Sequence, residues 1–276
     1  MRAPAKINLT LLLGPTRAAD GRHELVTVFE PVELHDTVTL EPGAGRDEVV
    51  CPGVEGENLA SRAIALFREA TGWDGPPVRL RIDKRIPVAG GMAGGSADAA
   101  AALRLVARES GLGTPKLLHE LAFALGADVP SQLEPRRLLG TGAGERLEPL
   151  APAERPYGVL VLPHAEPLST GRVFQEADRL SLARDLTGAV DAVRRGELRY
   201  VNDLEPAALA LLPSIRRSLD EAREAGAHDA MVSGSGPTVL GFFATPEQAE
   251  SAAEGLRGRT PKPIATRSLG TMSAGT

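Results

Sequence analysis

The sequence predicts an α+β protein of two domains, and three observations support that prediction. Short segments in which apolar and polar residues alternate, as in half-buried strands, are mixed with longer segments of helical periodicity. The two kinds do not alternate regularly enough for a doubly wound parallel sheet. Three prolines within residues 147–156 indicate a boundary. We therefore predict an N-terminal domain over residues 1–150 and a C-terminal domain over residues 151–276.

The N-terminal domain is predicted to begin with strands. Lys6, Asn8 and Thr10 alternate with apolar residues. We therefore interpret residues 7–13 as a half-buried strand and not as a secretory signal. The next strands are predicted at residues 25–31 and 37–40, with turns near residues 19–21 and 42–45.

A helix, a strand and a second helix are predicted next. Residues 58–71 have the periodicity of an amphipathic helix, which Gly72 would end. Residues 78–82 alternate as a strand that leads into the glycine-rich run PVAGGMAGGSA at residues 87–97. Ser96 is placed to cap an alanine-rich helix that runs to about residue 109. The apolar stripe of the first helix is predicted to comprise Leu59, Ala63, Leu66, Phe67 and Ala70.

The C-terminal domain is predicted to mix the same elements, and no repeat of fixed period interrupts it. Its predicted elements are a strand at residues 157–162, helices between residues 169 and 225, strands at 230–232 and 238–243, a helix at 246–256 and a short final strand.

Composition excludes several classes of function. The net charge of −5 and the pI of about 5.7 provide no overall basic field for nucleic acid or an anionic membrane. No apolar run approaches the roughly 20 residues that span a bilayer. The single cysteine, Cys51, cannot form an internal disulfide, which favours a reducing cytoplasm. We expect Cys51 to be a small buried hydrophobe and not a nucleophile.

The order of strand, glycine-rich turn and helix at residues 78–109 is typical of a phosphate-binding loop. Its four glycines permit positive φ angles and let a ligand approach the backbone closely. Free N–H groups at the helix start, reinforced by the helix dipole, favour a polyphosphate. The Ser96 hydroxyl is placed for a phosphate oxygen or Mg²⁺. A flexible linker or a packing turn is the alternative interpretation.

Spacing excludes three common glycine motifs. A Walker A loop requires lysine where Ser96 stands. A dinucleotide fingerprint requires two glycines separated by one residue, which this run lacks. The hydrolase elbow fails because Asp98 occupies the position of its last glycine.

A second glycine cluster, SGSGP at residues 233–237, lies between two apolar segments. A simple hairpin turn is one interpretation. The other is a turn whose backbone amides face the first loop, as in a kinase that closes on its substrate between domains.

At this point the chain resembles a known superfamily. The run PVAGGMAGGSADAA at residues 87–100 is similar to the ATP loop of the GHMP small-molecule kinases. Within that superfamily, an ordered set of motifs resembles the family of 4-diphosphocytidyl-2-C-methyl-D-erythritol kinases. The motifs are PAKINL at residues 4–9, DGRHEL at 20–25, GADVP at 126–130, GERL at 144–147, NDLE at 202–205 and MVSGSGPT at 231–238.

The resemblance implies a two-domain GHMP kinase fold with the active site in the interdomain cleft. It implies transfer of the ATP γ-phosphoryl group to the 2-hydroxyl of 4-diphosphocytidyl-2-C-methyl-D-erythritol, in non-mevalonate isoprenoid precursor biosynthesis. ATP with Mg²⁺ would be the co-substrate, with no metal bound by the protein itself. We expect a cytoplasmic monomer or weak homodimer that binds neither nucleic acid nor membrane.

The resemblance also implies the roles of particular residues. Asp128 would be the catalytic base, and Lys6 would lower the hydroxyl pKa and stabilise the transferring phosphoryl group. Helix capping and a solvated strand edge are the respective alternatives. The ATP site would comprise Asn58, Lys84, Pro87, Val88, Ala89, Gly90, Gly91, Met92, Ala93, Gly94, Gly95, Ser96 and Ala97. The substrate site would comprise Asn8, Arg22, His23, Thr170, Phe174, Gly234, Ser235 and Gly236.

The chain departs from the family pattern at several positions. Arg22 stands where a tyrosine usually packs on the cytosine. Stacking by its planar guanidinium is one interpretation, and a different way of holding the nucleotide is the other. Ser131-Gln132 replaces the usual paired aromatics. Ala89, Ala93 and Ala97 replace residues that are commonly glycine or serine. A methyl group at Ala93 restricts positive φ, which predicts a loop that is stiffer or slightly re-shaped.

Two other functions stay open from the sequence. Another GHMP kinase, with homoserine kinase the nearest in its C-terminal glycine motif, would share the loop but not the motifs around Lys6 and Asp128. A catalytically inactive nucleotide-binding relative would bind ATP without turnover.

Overall fold

The computed structural model describes residues 1–54, 56, 58–197 and 200–270, and its α+β architecture confirms the predicted class. The chain separates into two compact units. The first comprises Met1–Ala5, Leu34–Val88 and Ala93–Pro135, and the second comprises Lys6–Glu33, Ala89–Met92 and the chain from Arg136 onward. The predicted division near residue 150 stays a prediction.

Two long strands open the chain, β1 (Arg2–Thr16) and β2 (His23–Pro42). The sequence predicted a break between residues 31 and 37, which was wrong, because β2 is continuous. Residues 32–36 contain no glycine that would turn the chain, and Asp36 is buried within the strand. Both strands contribute residues to each unit.

The first unit packs helices against the strand that precedes the glycine-rich run. Its further elements are β3 (Glu48–Val50), α1 (Leu59–Thr71), β4 (Val78–Asp83), α2 (Gly94–Ser110), α3 (Pro115–Leu125) and α4 (Val129–Leu133). Strand β4 pairs antiparallel with β2 and parallel with β3. Val78, Leu80 and Ile82 form one apolar core with the buried faces of α1 and α2. Cys51 is half-buried against this core, and burial raises the pKa of its thiol.

Helix α1 ends at Thr71 as predicted and begins at Leu59, one residue after the predicted start. Asn58 caps it by accepting a hydrogen bond from the Ala60 amide, and Gly72 ends it in the left-handed conformation. The predicted stripe was partly wrong, because Ala70 is exposed while Ala60 and Ile64 join Ala63 and Phe67 in the core. Leu59 and Leu66 are half-buried at its edge.

The second unit contains a four-stranded sheet in the order β11-β7-β10-β9. Its elements are β5 (Leu138–Thr141), β6 (Arg146–Pro149), β7 (Gly158–Leu162), α5 (Thr170–Arg179), α6 (Ala189–Arg194), β8 (Val201–Asn202), α7 (Glu205–Leu211), α8 (Ile215–Glu224), β9 (Asp229–Val232), β10 (Val239–Phe243), α9 (Pro246–Gly255) and β11 (Ile264–Arg267). Helices α8 and α9 share an apolar core with β7, β9 and β10. Leu11 and Leu13 of β1 pack with α5 and α7 in another core. Strands β9 and β10 form an antiparallel hairpin, so the turn between them holds the second glycine cluster.

In the described part of the chain, no helix is long and apolar enough to cross a membrane.

Candidate active site

The glycine-rich loop has positive φ angles at two alanines. Within residues 87–97, φ is +53° at Ala89, +71° at Gly91 and +55° at Ala93. The left-handed region is unfavourable for any residue with a Cβ. The methyl group of Ala93 therefore does not prevent the loop from adopting this conformation, although it makes the conformation costly.

Helix α2 begins directly after this turn. Ala93 is its N-cap residue and provides no side-chain hydrogen bond. The prediction that Ser96 caps the helix was wrong, because the helix begins at Gly94 and Ser96 lies in its first turn. The first amides of a helix have no partner within it, so their N–H groups and the helix dipole favour an anion at this end.

Two glycines of the first turn have different surroundings. A Cβ built on Gly94 would lie 3.0 Å from Cγ2 of Ile86 and 3.2 Å from Nζ of Lys84. A Cβ built on Gly95 would meet no atom of the described chain within 4 Å. Gly95 is exposed, so the backbone there is open to a ligand, as a phosphate-binding turn requires.

Within the second unit, Gly91 packs closely on the second glycine cluster. A Cβ on Gly91 would lie 2.0 Å from the carbonyl oxygen of Ser233, a distance that no side chain can accommodate. The Ser233 hydroxyl donates to the Gly91 carbonyl oxygen at 3.1 Å. The buried Asn202 amide donates to the carbonyl oxygens of Val232 and Gly234, at 2.8 and 2.6 Å. The cluster is therefore both a hairpin turn and a backbone support for residues 89–92.

A buried charge cluster lies before the loop in the first unit. The Lys84 ammonium donates to the carboxylates of Asp36 and Asp98, the latter at 2.8 Å. Asp36 is fully buried and also accepts from the amides of Arg85 and Ile86. Burial raises the pKa of Asp98 to about 6, against the opposing effect of Lys84. Burial alone would lower the pKa of Lys84, but the two carboxylates raise it. These contacts anchor the segment that enters the loop.

Lys6 and Asn8 project from one face of β1, because side chains alternate along a strand, and they contact each other. The Lys6 ammonium donates to Oδ1 of Asn8 at 2.8 Å and lies 5.1 Å from the ring centroid of Phe29. Its backbone amide donates to the Met92 carbonyl oxygen at 3.2 Å. Lys6 and Asn8 are both at least 95% buried. Lys6 is thus not a solvated lysine at a strand edge.

His23 and Phe174 lie together in the second unit. Their ring centroids are 5.7 Å apart. Nδ1 of His23 donates to the Gly14 carbonyl oxygen at 2.8 Å, and its Nε2 lies 3.0 Å from the Asp178 carboxylate. These contacts fix the orientation of the imidazole beside an aromatic face that is half-buried. A planar ring that is fixed in this way suits a flat heterocycle.

Arg22 is held by a short turn. Its Nε donates to Oδ2 of Asp20 at 2.9 Å, and its side chain is 46% exposed. Hydrogen bonds from Arg17 hold the pKa of Asp20 well below its usual range. Arg17 also donates to Glu145 at 2.7 Å. The guanidinium of Arg22 is therefore oriented but accessible.

The other predicted site residues lie at ends of elements. Thr170 begins α5, and its hydroxyl lies 2.9 Å from that of Ser235. Gly234 and Gly236 both have positive φ. Asp128 is at the N-cap position of α4, yet its side chain makes no capping hydrogen bond, which weakens the helix-capping interpretation. These contacts do not test whether the residues bind a ligand, so their roles stay predictions.

Comparison with known proteins decides the family. Residues 58–133 match the family described as GHMP kinases N terminal domain, and residues 180–262 match the one described as GHMP kinases C terminal. The 4-diphosphocytidyl-2-C-methyl-D-erythritol kinase of Kineococcus radiotolerans is 43% identical over 91% of this chain and 83% of its own length. The chain belongs to the 4-diphosphocytidyl-2-C-methyl-D-erythritol kinase family of GHMP kinases.

Solved structures agree with this family. A crystal structure of 4-(cytidine 5'-diphospho)-2C-methyl-D-erythritol kinase is 35% identical, with a TM-score of 0.82 over 97% of this chain and 98% of its own. The homoserine kinase of Cytophaga hutchinsonii has a TM-score of 0.66 at 17% identity, over 96% and 94% of the two chains. At that identity the second likeness shows the shared GHMP kinase fold alone.

Several residues that support the family site were not identified from the sequence. Asp36 lies in a segment that carries no motif, so no sequence signal pointed to it. Asn202 and Asp98 lay within motifs of the 4-diphosphocytidyl-2-C-methyl-D-erythritol kinase family, but their contacts depend on the fold.

Proposed function

We propose that this protein transfers the γ-phosphoryl group of ATP to the 2-hydroxyl of 4-diphosphocytidyl-2-C-methyl-D-erythritol, a step of non-mevalonate isoprenoid precursor biosynthesis. The observation that carries the proposal is identity above 40% to a kinase of that name over nine tenths of the chain. The contacts of the predicted site residues support it. The reaction would take place in the cytoplasm, and a monomer or weak homodimer stays our prediction for the assembly.

The glycine-rich loop and the start of α2 would hold the ATP phosphates. Unpartnered amides of the first helical turn and the helix dipole attract anions. The open surface at Gly95 gives a phosphate access to this backbone. Asn58 and Lys84 would lie near the adenosine, as the family resemblance implies.

Asp128 and Lys6 would carry the chemistry. Phosphoryl transfer depends mainly on positioning and charge stabilisation, with a carboxylate to accept the hydroxyl proton. Asp128 would be that carboxylate, and the Lys6 ammonium would stabilise the negative charge of the transferring group. Asn8 fixes the position of Lys6 through the 2.8 Å hydrogen bond.

The cytosine end of the substrate would bind at His23, Phe174 and Arg22. The ring of Phe174 and the planar guanidinium of Arg22 both offer flat faces for a pyrimidine. His23 is oriented by the Gly14 carbonyl oxygen, and its Nε2 would exchange the exposed Asp178 carboxylate for the edge of a base. Thr170, Ser235 and the amides of the 233–237 turn would bind the remaining polar groups.

Mg²⁺ would enter as the partner of ATP. Among the described residues, no group of three histidine, cysteine, aspartate or glutamate side chains is arranged to hold a metal ion. The hydroxyl oxygen of Ser96, in the first turn of α2, is a suitable ligand for an ATP-bound cation. When bound, Mg²⁺ would neutralise charge on the phosphate oxygens.

An assay of ATP consumption with the cytidyl-diphospho substrate tests the proposal. We expect turnover by the wild type and a loss of about 100-fold or more in kcat for Asp128→Asn, with ATP affinity retained, because the amide cannot accept the proton. Asp74→Asn, at an exposed position outside the site, is the matched control and should match the wild type.

Two results would contradict this function. Turnover of homoserine without turnover of the cytidyl-diphospho substrate would make the protein another GHMP kinase. ATP binding without turnover of either substrate, unaffected by Asp128→Asn, would make it an inactive relative.

A further inference from the structure

A chain of buried polar groups connects β1 and β2 in the second unit and includes Lys6. Nζ of Lys6 donates to Oδ1 of Asn8 at 2.8 Å. Nδ2 of Asn8 donates to Oγ1 of Thr27 at 2.7 Å, and Oγ1 of Thr27 donates to the Thr10 carbonyl oxygen at 2.7 Å. The residues Lys6, Asn8 and Thr27 are 5%, 2% and 1% exposed, so water does not compete for these bonds.

The chemistry of the groups permits only one direction for this chain. A carbonyl oxygen can only accept, so the single hydroxyl hydrogen of Thr27 is committed to Thr10. Thr27 then presents only lone pairs to Asn8, which must turn its NH₂ group toward them. The amide oxygen of Asn8 consequently faces Lys6, whose ammonium can only donate. With the opposite amide orientation, the NH₂ group of Asn8 would face the ammonium of Lys6, and neither group can accept a hydrogen bond.

We propose that Thr27 is a positioning residue for the phosphoryl transfer, acting on Lys6 through Asn8. This inference rests on the proposed function, in which Lys6 stabilises the transferring group. Removal of the Thr27 hydroxyl leaves the Asn8 NH₂ group buried without its acceptor, which is unfavourable. The amide then reorients or shifts, and the ammonium of Lys6 loses the hydrogen bond to Asn8 that helps to position it.

Valine and serine at position 27 separate the hydroxyl from the shape of the side chain. Thr27→Val keeps the volume and the β-branched strand geometry but removes the hydroxyl, whereas Thr27→Ser keeps the hydroxyl. We expect Thr27→Val to lower kcat about 10- to 100-fold with KM values changed less than threefold, since an error of about 1 Å in placement costs up to 100-fold. Thr27→Ser should retain kcat within about threefold. Thr39→Val, at an exposed position of the same strand, is the matched control and should equal the wild type.

A second readout does not depend on the substrate. The chain contains four lysines, Lys6, Lys84, Lys116 and Lys262, so mass spectrometry can follow acetylation at each. We expect Thr27→Val, but not Thr27→Ser, to raise the acetylation rate of Lys6 at least fivefold relative to the exposed Lys116. The rate at Lys84 should stay unchanged, because its ion pairs with Asp36 and Asp98 belong to another cluster and report global unfolding.

The outcomes distinguish this inference from the proposed function. Wild-type kcat and wild-type Lys6 acetylation in Thr27→Val would overturn the positioning role, as would equal impairment of Thr27→Ser. A parallel increase at Lys84 would also overturn it, because the loss would then come from unfolding. If the wild type fails to turn over the cytidyl-diphospho substrate, the proposed function is wrong, and the acetylation of Lys6 alone decides whether Thr27 positions it. In an Asn8→Ala background Thr27→Val should lower kcat no further, since the two residues act in series.

Discussion

Two alanines of the glycine-rich loop have a backbone conformation that glycine would adopt without strain. Ala89 and Ala93 have φ angles of +53° and +55°. Each such angle costs a residue with a Cβ on the order of 1 kcal/mol. The loop keeps this conformation because its neighbours fix it, among them the close packing of Gly91 on Ser233 and the start of α2 at Gly94.

Replacing one of these alanines tests that strain. We expect Ala93→Gly to raise the free energy of unfolding by up to about 1 kcal/mol, because relief of the strain exceeds the added entropy of the unfolded chain. Ala97→Gly is the control for which we expect the opposite sign. Ala97 lies inside α2, where glycine should lower the free energy of unfolding by about 1 kcal/mol. Denaturant unfolding of both variants measures the difference. A loss of stability in both would show that Ala93 is not strained.

At the scale of elements, the approach to the loop depends on one buried cluster. Asp36 of β2, Lys84 after β4 and Asp98 of α2 come from three different elements. Burial disfavours each charge, so the cluster is stable only while the one cation balances the two carboxylates. Asp36 also accepts from the amides of Arg85 and Ile86, so it fixes the turn between β4 and the loop.

Removal of the cation should destabilise the protein strongly. We expect Lys84→Met to lower the free energy of unfolding by about 3–5 kcal/mol, because it leaves two buried carboxylates unbalanced. Adding Asp98→Asn in the same chain should recover part of that loss. The matched control is Arg79→Met, which breaks the exposed ion pair with Glu48 and should cost less than about 1 kcal/mol. Similar losses in the two single variants would contradict the proposed energetic role of the cluster.

At the scale of the whole molecule, ligand binding should be visible as stability. A ligand that binds only the folded state at 100 times its Kd raises the free energy of unfolding by about 2.7 kcal/mol. For the wild type with Mg²⁺ and ATP we therefore expect a Tm increase of several degrees, measured by thermal denaturation.

Two glycine variants show where that stabilisation comes from. In Gly95→Ala the fold should be kept, because the added methyl meets no described atom within 4 Å, but the ATP-dependent increase in Tm should be mostly lost. Gly255→Ala near the end of α9 also meets no described atom, and it should retain the full increase. An unchanged ATP effect in Gly95→Ala would place the phosphates elsewhere.

The sequence by itself determined the α+β class, the bounds of α1 to within one residue, the presence of most major strands, and the family with its glycine-rich loop. These depend on periodicity and on motifs in fixed order, which are local properties of a chain. It did not predict α3, α4 or the short strands β3, β5, β6 and β8, whose segments carry weaker periodicity. Even the cap of α2 was placed at Ser96, three residues after the true one.

Only the tertiary structure decided which residues support the predicted site. Thr27 contacts Asn8 across 19 positions, Asn202 contacts Gly234 across 32, and Ser233 contacts Gly91 across 142. The pairing of strands and the packing of turns bring such partners together, and no spacing along the chain encodes them. Positive φ at Ala89 and Ala93 has the same origin, because their intrinsic preference opposes it and the surrounding contacts overcome that preference. The residues of the loop were thus identified from the sequence. The conformation of the loop, and the groups that stabilise that conformation, were decided by the tertiary structure.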